Sequence, residues 1–286
     1  MTAMEPTTHT THLDDGRQIT TDVAGPDDGP TVVLLHAAPG SRRFDPDPAV
    51  TESSGTRLVT IDRPGYGGST SLPEGVVPTV PGFADDMVAA LTDLGIGDAT
   101  LVGWSAGGRI AAAVAASHPE LVSRLVIVAT PAPDTDVPWV PDEQRGAIDM
   151  MRSDPAAAVA QMSEMLATMT ADPAAAAGMV SGGDADEAML AADPRLRARV
   201  EAMVAEGVAA GPVGLAADII SYTVVDWGFD PAAIGAPTTC VYGADDPTVT
   251  PAHGRWWASR IPAADLQVVD GVGHLVIATA WRDLIT

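Results

Sequence analysis

No lysine occurs anywhere in the 286 residues, and all 15 basic residues are arginine. That excludes a lysine Schiff base, a serine–lysine dyad and a phosphate-binding P-loop lysine. Cysteine is almost as scarce. The single one, Cys240, has no partner for an internal disulfide and sits in an apolar run, so it is expected to be inert core. Positive charge is thin overall: 38 acidic residues give a net charge of −23. With no basic stripe to neutralise phosphates, most nucleic-acid partners are excluded. No run of about 18 uncharged apolar residues is available to span a membrane. The opening stretch MTAMEPTTHTTHLDD lacks the basic start and apolar centre of a leader, so a cytoplasmic protein with no membrane partner is expected. There is no H-E-x-x-H, the six histidines are scattered, and no dinucleotide-binding fingerprint appears. Neither a metal nor a cofactor is therefore expected.

What is present is an ordinary globular balance, 46% hydrophobic and 19% charged. THTTHLDD and RQITTDVAG, separated at Gly16, predict an opening hairpin. Continuous apolar runs follow at 31–37, 57–62, 99–104, 123–129, 238–243 and 266–271, the pattern of strands covered on both faces. Helical patterns lie between several of them, in PGFADDMVAALTDLG, AGGRIAAAVAASHPE and PAHGRWWASRI. This alternation predicts the α/β class, with a mostly parallel central sheet and helices on both faces. Residues 132–231 break the rhythm: they lack strand signals, are rich in alanine and methionine, and are interrupted at Asp154-Pro155, Asp172-Pro173 and Asp193-Pro194. They are expected to form an inserted helical cap between a first core segment (1–131) and a second (232–286). The cap carries 17 acidic residues against 5 arginines.

The chemistry gathers at Gly103-Trp104-Ser105-Ala106-Gly107, a G-x-S-x-G sequence with a buried strand before it and a helix after it. Small residues two before and two after allow a strained turn that projects the hydroxyl at a helix N-terminus, where backbone N–H groups stabilise negative charge. A serine needs a base, and the base needs an orienting acid. Of the histidines at 9, 12, 36, 118, 253 and 274, only His274 lies on a loop after a late core strand. The loop Ala244-Asp245-Asp246-Pro247, after the strand TTCVYG, supplies an acid.

Over nearly its full length the chain resembles the α/β-hydrolase fold superfamily. HAAPGS (36–41) is similar to its H-G-x-P oxyanion segment, DRPGYGGS (62–69) to its D-x-x-G-x-G-x-S segment, GWSAGG (103–108) to its nucleophile elbow, and GADDPTVTP (243–251) to its acid loop. SYTVVDWGFDPAAI, before the last part of the core, is similar to a branch with a helical cap. The resemblance implies a triad of Ser105, Asp246 and His274, with Asp246 rather than Asp245 as the fourth residue of G-x-x-D. It also implies an oxyanion hole from the backbone N–H groups of Ala38 and Ala106. Ala37 stands where the family usually has glycine. Aspartate occupies the elbow of haloalkane dehalogenases and epoxide hydrolases, so Ser105 implies an acyl-enzyme from a carbonyl substrate. Expected is a serine hydrolase of a small carboxylic ester or lactone. A prolyl iminopeptidase-like aminopeptidase, a cofactor-free haloperoxidase or perhydrolase, and a non-catalytic ligand-binding protein are the alternatives.

Eight of the eleven methionines fall between 150 and 203, and Met162, Met165 and Met169 share a helical face at i, i+3 and i+7. These three, with Trp104 and Trp139, are the candidates for a compliant apolar pocket lining. Asp62 and Arg63 are expected to fix the loop after their strand, Trp256 and Trp257 to be core, and His253 to lie on the surface. The partner expected is a small-molecule ester; oligomeric state is open, a homodimer included.

Overall fold

The computed structural model describes residues 5–286; residues 1–4, the start of the stretch read above for a leader, lie outside the described residues. Strands β1 (Thr7–His12) and β2 (Gln18–Ala24) form the hairpin, turning through Gly16 at φ +86°. They are followed by β3 (Thr31–Leu35), β4 (Arg57–Ile61), β5 (Ala99–Trp104), β6 (Val122–Val128), β7 (Thr238–Gly243) and β8 (Ala264–Val269). All eight join one sheet in the order β1-β2-β4-β3-β5-β6-β7-β8. The hairpin pairs antiparallel, and every pairing from β4 to β8 is parallel. Strand order reverses at β3, and the carboxyl ends beside that reversal are where open α/β sheets leave a crevice.

The helices, in chain order, are α1 (Pro48–Ser53), α2 (Val80–Asp93), α3 (Ala106–Ser117), α4 (Asp142–Met151), α5 (Pro155–Thr170), α6 (Pro173–Ala177), α7 (Asp184–Ala192), α8 (Pro194–Val208), α9 (Val213–Thr223), α10 (Pro251–Arg260) and α11 (Val276–Ile285). Alternating side chains of each strand serve opposite faces. Val33, Leu35, Val59, Ile61 and Leu101 pack with α2 and α3. Their neighbours Val32, Leu34, Leu58 and Val102 pack with α8 and α11. Two-sided burial is why these strands read as unbroken apolar runs. Cys240 belongs to this core, where burial pushes its thiol up to about 12. The run at 266–271 behaves otherwise: β8 is the sheet's edge, and Val268 is 43% exposed.

Six α-helices, α4 to α9, lie between β6 and β7. Their Asp-Pro interruptions are helix starts. Asp154, Asp172 and Asp193 each accept a hydrogen bond from a first-turn N–H, with proline at the first position, where a missing N–H costs nothing. The methionine face is a correction. Met162 packs with Leu215, Ala216 and Ile220, whereas Met165 and Met169 are 60% and 53% exposed. The buried row of α5 is Ala158, Met162, Leu166 and Thr170, because α9 crosses it along the i, i+4 ridge rather than along i, i+3, i+7. Among the described residues no single helix is long and apolar enough to cross a membrane.

Candidate active site

β5 ends at Trp104 and α3 begins at Ala106, so Ser105 alone turns the chain. Its φ is +54° and ψ −119°, a conformation that costs a residue with a Cβ about 1–3 kcal/mol. The surroundings enforce it. A Cβ at Gly103 would run into the backbone of Gly107 and Gly108, and one at Gly107 into the Leu35 and His36 carbonyls, so helix and strand are in direct backbone contact. The Ser105 N–H is held by the Val128 carbonyl at 2.8 Å. Its hydroxyl caps no helix N–H and is left free at the positive end of a 12-residue helix.

His274 sits on the loop between β8 and α11, itself buried, with Nδ1 2.6 Å from Asp246 Oδ2. A carboxylate oxygen accepts, so Nδ1 carries the proton and Nε2 is left as the basic nitrogen. Asp246 is buried; its Oδ1 accepts from the N–H groups of Thr248 (3.0 Å) and Val249 (2.8 Å). Burial works to raise its pKa, but the His274 hydrogen bond and charge, with those two donors, outweigh it and hold the carboxyl below its ordinary value. Asp245 is exposed.

The segment that follows β3 is braced by a buried arginine. Arg63 is buried and donates to the carbonyls of His36 (2.6 Å) and Ala37 (3.0 Å) while pairing with Asp218 of α9 at 2.6 Å. Tyr66 adds a hydroxyl to Asp218 at 2.7 Å. Asp62 accepts from the backbone N–H groups of Arg42 (2.7 Å) and Gly68 (2.9 Å), so both residues of this pair fix loops. His36 is buried with its pKa well below the ordinary value, through desolvation and the Arg63 charge. As a neutral ring it donates from Nδ1 to the Ala37 carbonyl at 2.6 Å.

Ser105, Asp246 and His274 line one pocket of about 170 Å³ together with Ala38, Ala106, Trp139 and Met179. Of the five candidate substrate contacts, only Trp139 is there. Trp104 is fully buried instead: it stacks on Phe44 at 5.2 Å and donates from its indole to the His274 carbonyl at 3.1 Å, supporting the histidine loop. Met162 packs α5 on α9, and Met165 and Met169 face outward, so none of the three lines the pocket. His253 is a further correction. It is buried and accepts at Nδ1 from the Ala132 N–H at 3.0 Å, tying the chain after β6 to α10; burial lowers its pKa, matching a neutral acceptor. Trp257 is fully buried, and Trp256, half-buried, packs edge-on against it at 5.1 Å.

Two residues of the site escaped the sequence reading. Asp186 of α7 is fully buried and accepts from the N–H groups of His274 (2.8 Å) and Leu275 (3.1 Å). Nothing separates it in sequence from its neighbours Asp184 and Glu187. Arg109 lines the same pocket four residues after Ser105, and its signal was visible: one charge in the otherwise apolar helix AGGRIAAAVAAS. Among the described residues no three His, Cys, Asp or Glu side chains converge as a metal-ligand set.

Comparison with known proteins agrees with this architecture. A family model described as the alpha/beta hydrolase fold matches residues 30–280. The chain is 29% identical over 261 residues, 90% of its length and 92% of the relative's, to a pimeloyl-[acyl-carrier protein] methyl ester esterase of Chromobacterium violaceum. It is 28% identical over 256 residues to a 2-hydroxy-6-oxononadienedioate/2-hydroxy-6-oxononatrienedioate hydrolase of Burkholderia vietnamiensis, covering 85% of this chain and 80% of that one. An esterase structure from Exiguobacterium antarcticum superposes with a TM-score of 0.73 at 19% identity, covering 98% and 97% of the two chains, a likeness of fold.

Proposed function

The chain belongs to the α/β hydrolase fold family, and we propose that it hydrolyses a small carboxylic ester or lactone through an acyl-enzyme on Ser105. The observation that carries the reading is the free hydroxyl of a strained Ser105, at a helix N-terminus, in one pocket with a histidine whose far nitrogen is held by a buried carboxylate. The esterase named among its relatives, matched over nine-tenths of the chain, supports the same class.

In this mechanism His274 Nε2 takes the Ser105 proton as Oγ attacks the ester carbonyl. The oxyanion is held by the backbone N–H groups of Ala38 and Ala106, each such donor being worth about 3–4 kcal/mol in the transition state. The imidazolium passes its proton to the leaving alcohol, and Asp246 stabilises the charged ring in between. Water then attacks the acyl-enzyme, giving its proton to His274 and releasing the acid and Ser105. An aminopeptidase draws less support, because the unpaired charge lining the pocket is a guanidinium, which repels a substrate ammonium.

Hydrolysis of p-nitrophenyl acyl esters of increasing chain length, alongside proline p-nitroanilide, tests the proposal. Ester turnover is expected to fall by about 10⁴-fold or more in Ser105→Ala with the anilide untouched in both proteins. Ester turnover retained by a folded Ser105→Ala variant would overturn it.

A further inference from the structure

Arg109 is 1% exposed, and its Nε and Nη2 are buried with no hydrogen-bond partner. No carboxylate within ion-pair distance neutralises it among the described residues, in contrast to the other two buried arginines. Arg42 meets Asp22 and Asp62, and Arg63 meets Asp218. Asp218 also acts on Arg109 electrostatically, but it is already engaged by Arg63 and Tyr66. What surrounds the guanidinium is aromatic: its carbon lies 4.1 Å from the Tyr222 ring centroid, 5.1 Å from Trp227 and 6.0 Å from Trp139. The Tyr222 hydroxyl, raised to about 12 by burial, is a neutral phenol and brings no counter-charge. Desolvation lowers Arg109 itself to about 10, which still leaves it a cation at neutral pH.

A buried, unpaired charge is expensive to keep, and a group left this way calls for a ligand that completes it. Arg109 lines the pocket that holds Ser105 and His274, with Tyr222 and Trp139 beside it. We propose that Arg109 receives a carboxylate of the substrate, so that the ester hydrolysed carries a second, ionised carboxyl group at its far end. The planar fork of guanidinium suits the two oxygens of a carboxylate, and the aromatic faces hold its plane in place. A neutral carbonyl would leave the charge uncompensated. The pocket that holds both Ser105 and Arg109 is small, at about 170 Å³, and this sets the size. A half-ester of a short dicarboxylic acid, such as glutarate or adipate, suits that volume. The inference deepens the ester-hydrolase reading and rests on it for the turnover, but not for the binding.

The test compares kcat/KM for monomethyl glutarate with that for dimethyl glutarate, in which the carboxylate is masked. It is run on the wild type, Arg109→Lys and Arg109→Met, with 3-acetoxypropanoate and its methyl ester as the pair carrying the carboxylate on the alcohol half. The wild type is expected to favour the anionic member of one pair by about 100-fold, mostly through KM, as hydrogen bonds to a charged group allow. That ratio is expected to collapse in Arg109→Met and to be intermediate in Arg109→Lys, which keeps the charge but loses the fork. Calorimetric binding of glutarate to Ser105→Ala, weakened when Arg109→Lys is added and absent when Arg109→Met is added, reads the site without turnover. Hydrolysis of both members of each pair at equal kcat/KM overturns the carboxylate site and leaves the esterase standing. A preference that survives both substitutions overturns it too. Glutarate bound through Arg109, with no ester of any kind hydrolysed, supports the site and overturns the esterase.

Discussion

Three arginines are buried among the described residues, and their surroundings separate structural from functional charge. Arg42 and Arg63 are neutralised by carboxylates on other segments, as a buried ion must be to be tolerated, whereas Arg109 is left to aromatic faces. The buried carboxylates show the same logic. Asp246 spends one oxygen on the N–H groups of its own loop and the other on the His274 ring, and Asp186 holds the His274 loop through its N–H groups, while Asp45 is poorly compensated and raised to about 6, chiefly by burial. A raised carboxyl pKa means the folded state binds the extra proton between about 3.8 and 6, so this group's contribution to stability falls as pH rises through that window. Asp45→Asn keeps an acceptor for Thr51 and for the Asp47 N–H but carries no charge to desolvate. Urea unfolding is expected to find it more stable than the wild type by up to about 3 kcal/mol at pH 7–8, with no gain near pH 4. An unchanged difference across that range would show that Asp45 is solvated.

At the level of elements, the site is assembled from three strand ends and pinned from the inserted helices. The turn from β5 into α3 supplies Ser105, the loop after β7 supplies Asp246, and the loop after β8 supplies His274. Two of the polar contacts between insertion and core brace the candidate site: Asp218 of α9 meets Arg63, and Asp186 of α7 meets the His274 and Leu275 N–H groups. The insertion thus grips the His274 loop through hydrogen bonds. Asp186→Ala leaves two buried N–H groups unpaired, at about 1–3 kcal/mol each. Its kcat on an unhindered ester is expected to fall by about 10- to 100-fold with KM little changed, and Asp186→Asn, which retains an acceptor oxygen, is expected to recover most of it. Unchanged kcat in a folded Asp186→Ala variant would reduce the contact to packing.

For the whole molecule, the dominant quantity is a net charge of −23. Its field extends over a Debye length, about 30 Å at 10 mM salt and 8 Å at 150 mM, so added salt relieves the repulsion of an anion approaching the pocket. The attraction of buried Arg109 acts at short range and is screened less. Raising salt from 10 to 150 mM is therefore expected to increase kcat/KM several-fold for an anionic half-ester and to leave a neutral ester nearly flat. A parallel response of both would show that the field does not reach the pocket mouth. The sheet fits its reading at this scale, parallel from β4 onward with helices on both faces, because two-sided burial writes itself into sequence as unbroken apolar runs.

Sequence by itself determined what depends on local chemistry and short-range order: the strands, the Asp-Pro helix starts, the Gly-flanked turn at Ser105 and the α/β class. Each follows from backbone sterics or from periodicity within one element. Only the tertiary structure decided which groups meet. It brought His274 to the Asp246 that the G-x-x-D resemblance had singled out, buried His253 and Trp104 as supports, and made 266–271 an edge. The crossing of α9 over α5 selected one of its methionines, Asp186 reached the His274 N–H from a distant helix, and distant aromatic residues, Trp139, Tyr222 and Trp227, closed around Arg109. Such contacts join residues tens to more than a hundred positions apart, and no periodicity along the chain encodes which carboxylate finds a partner and which guanidinium does not.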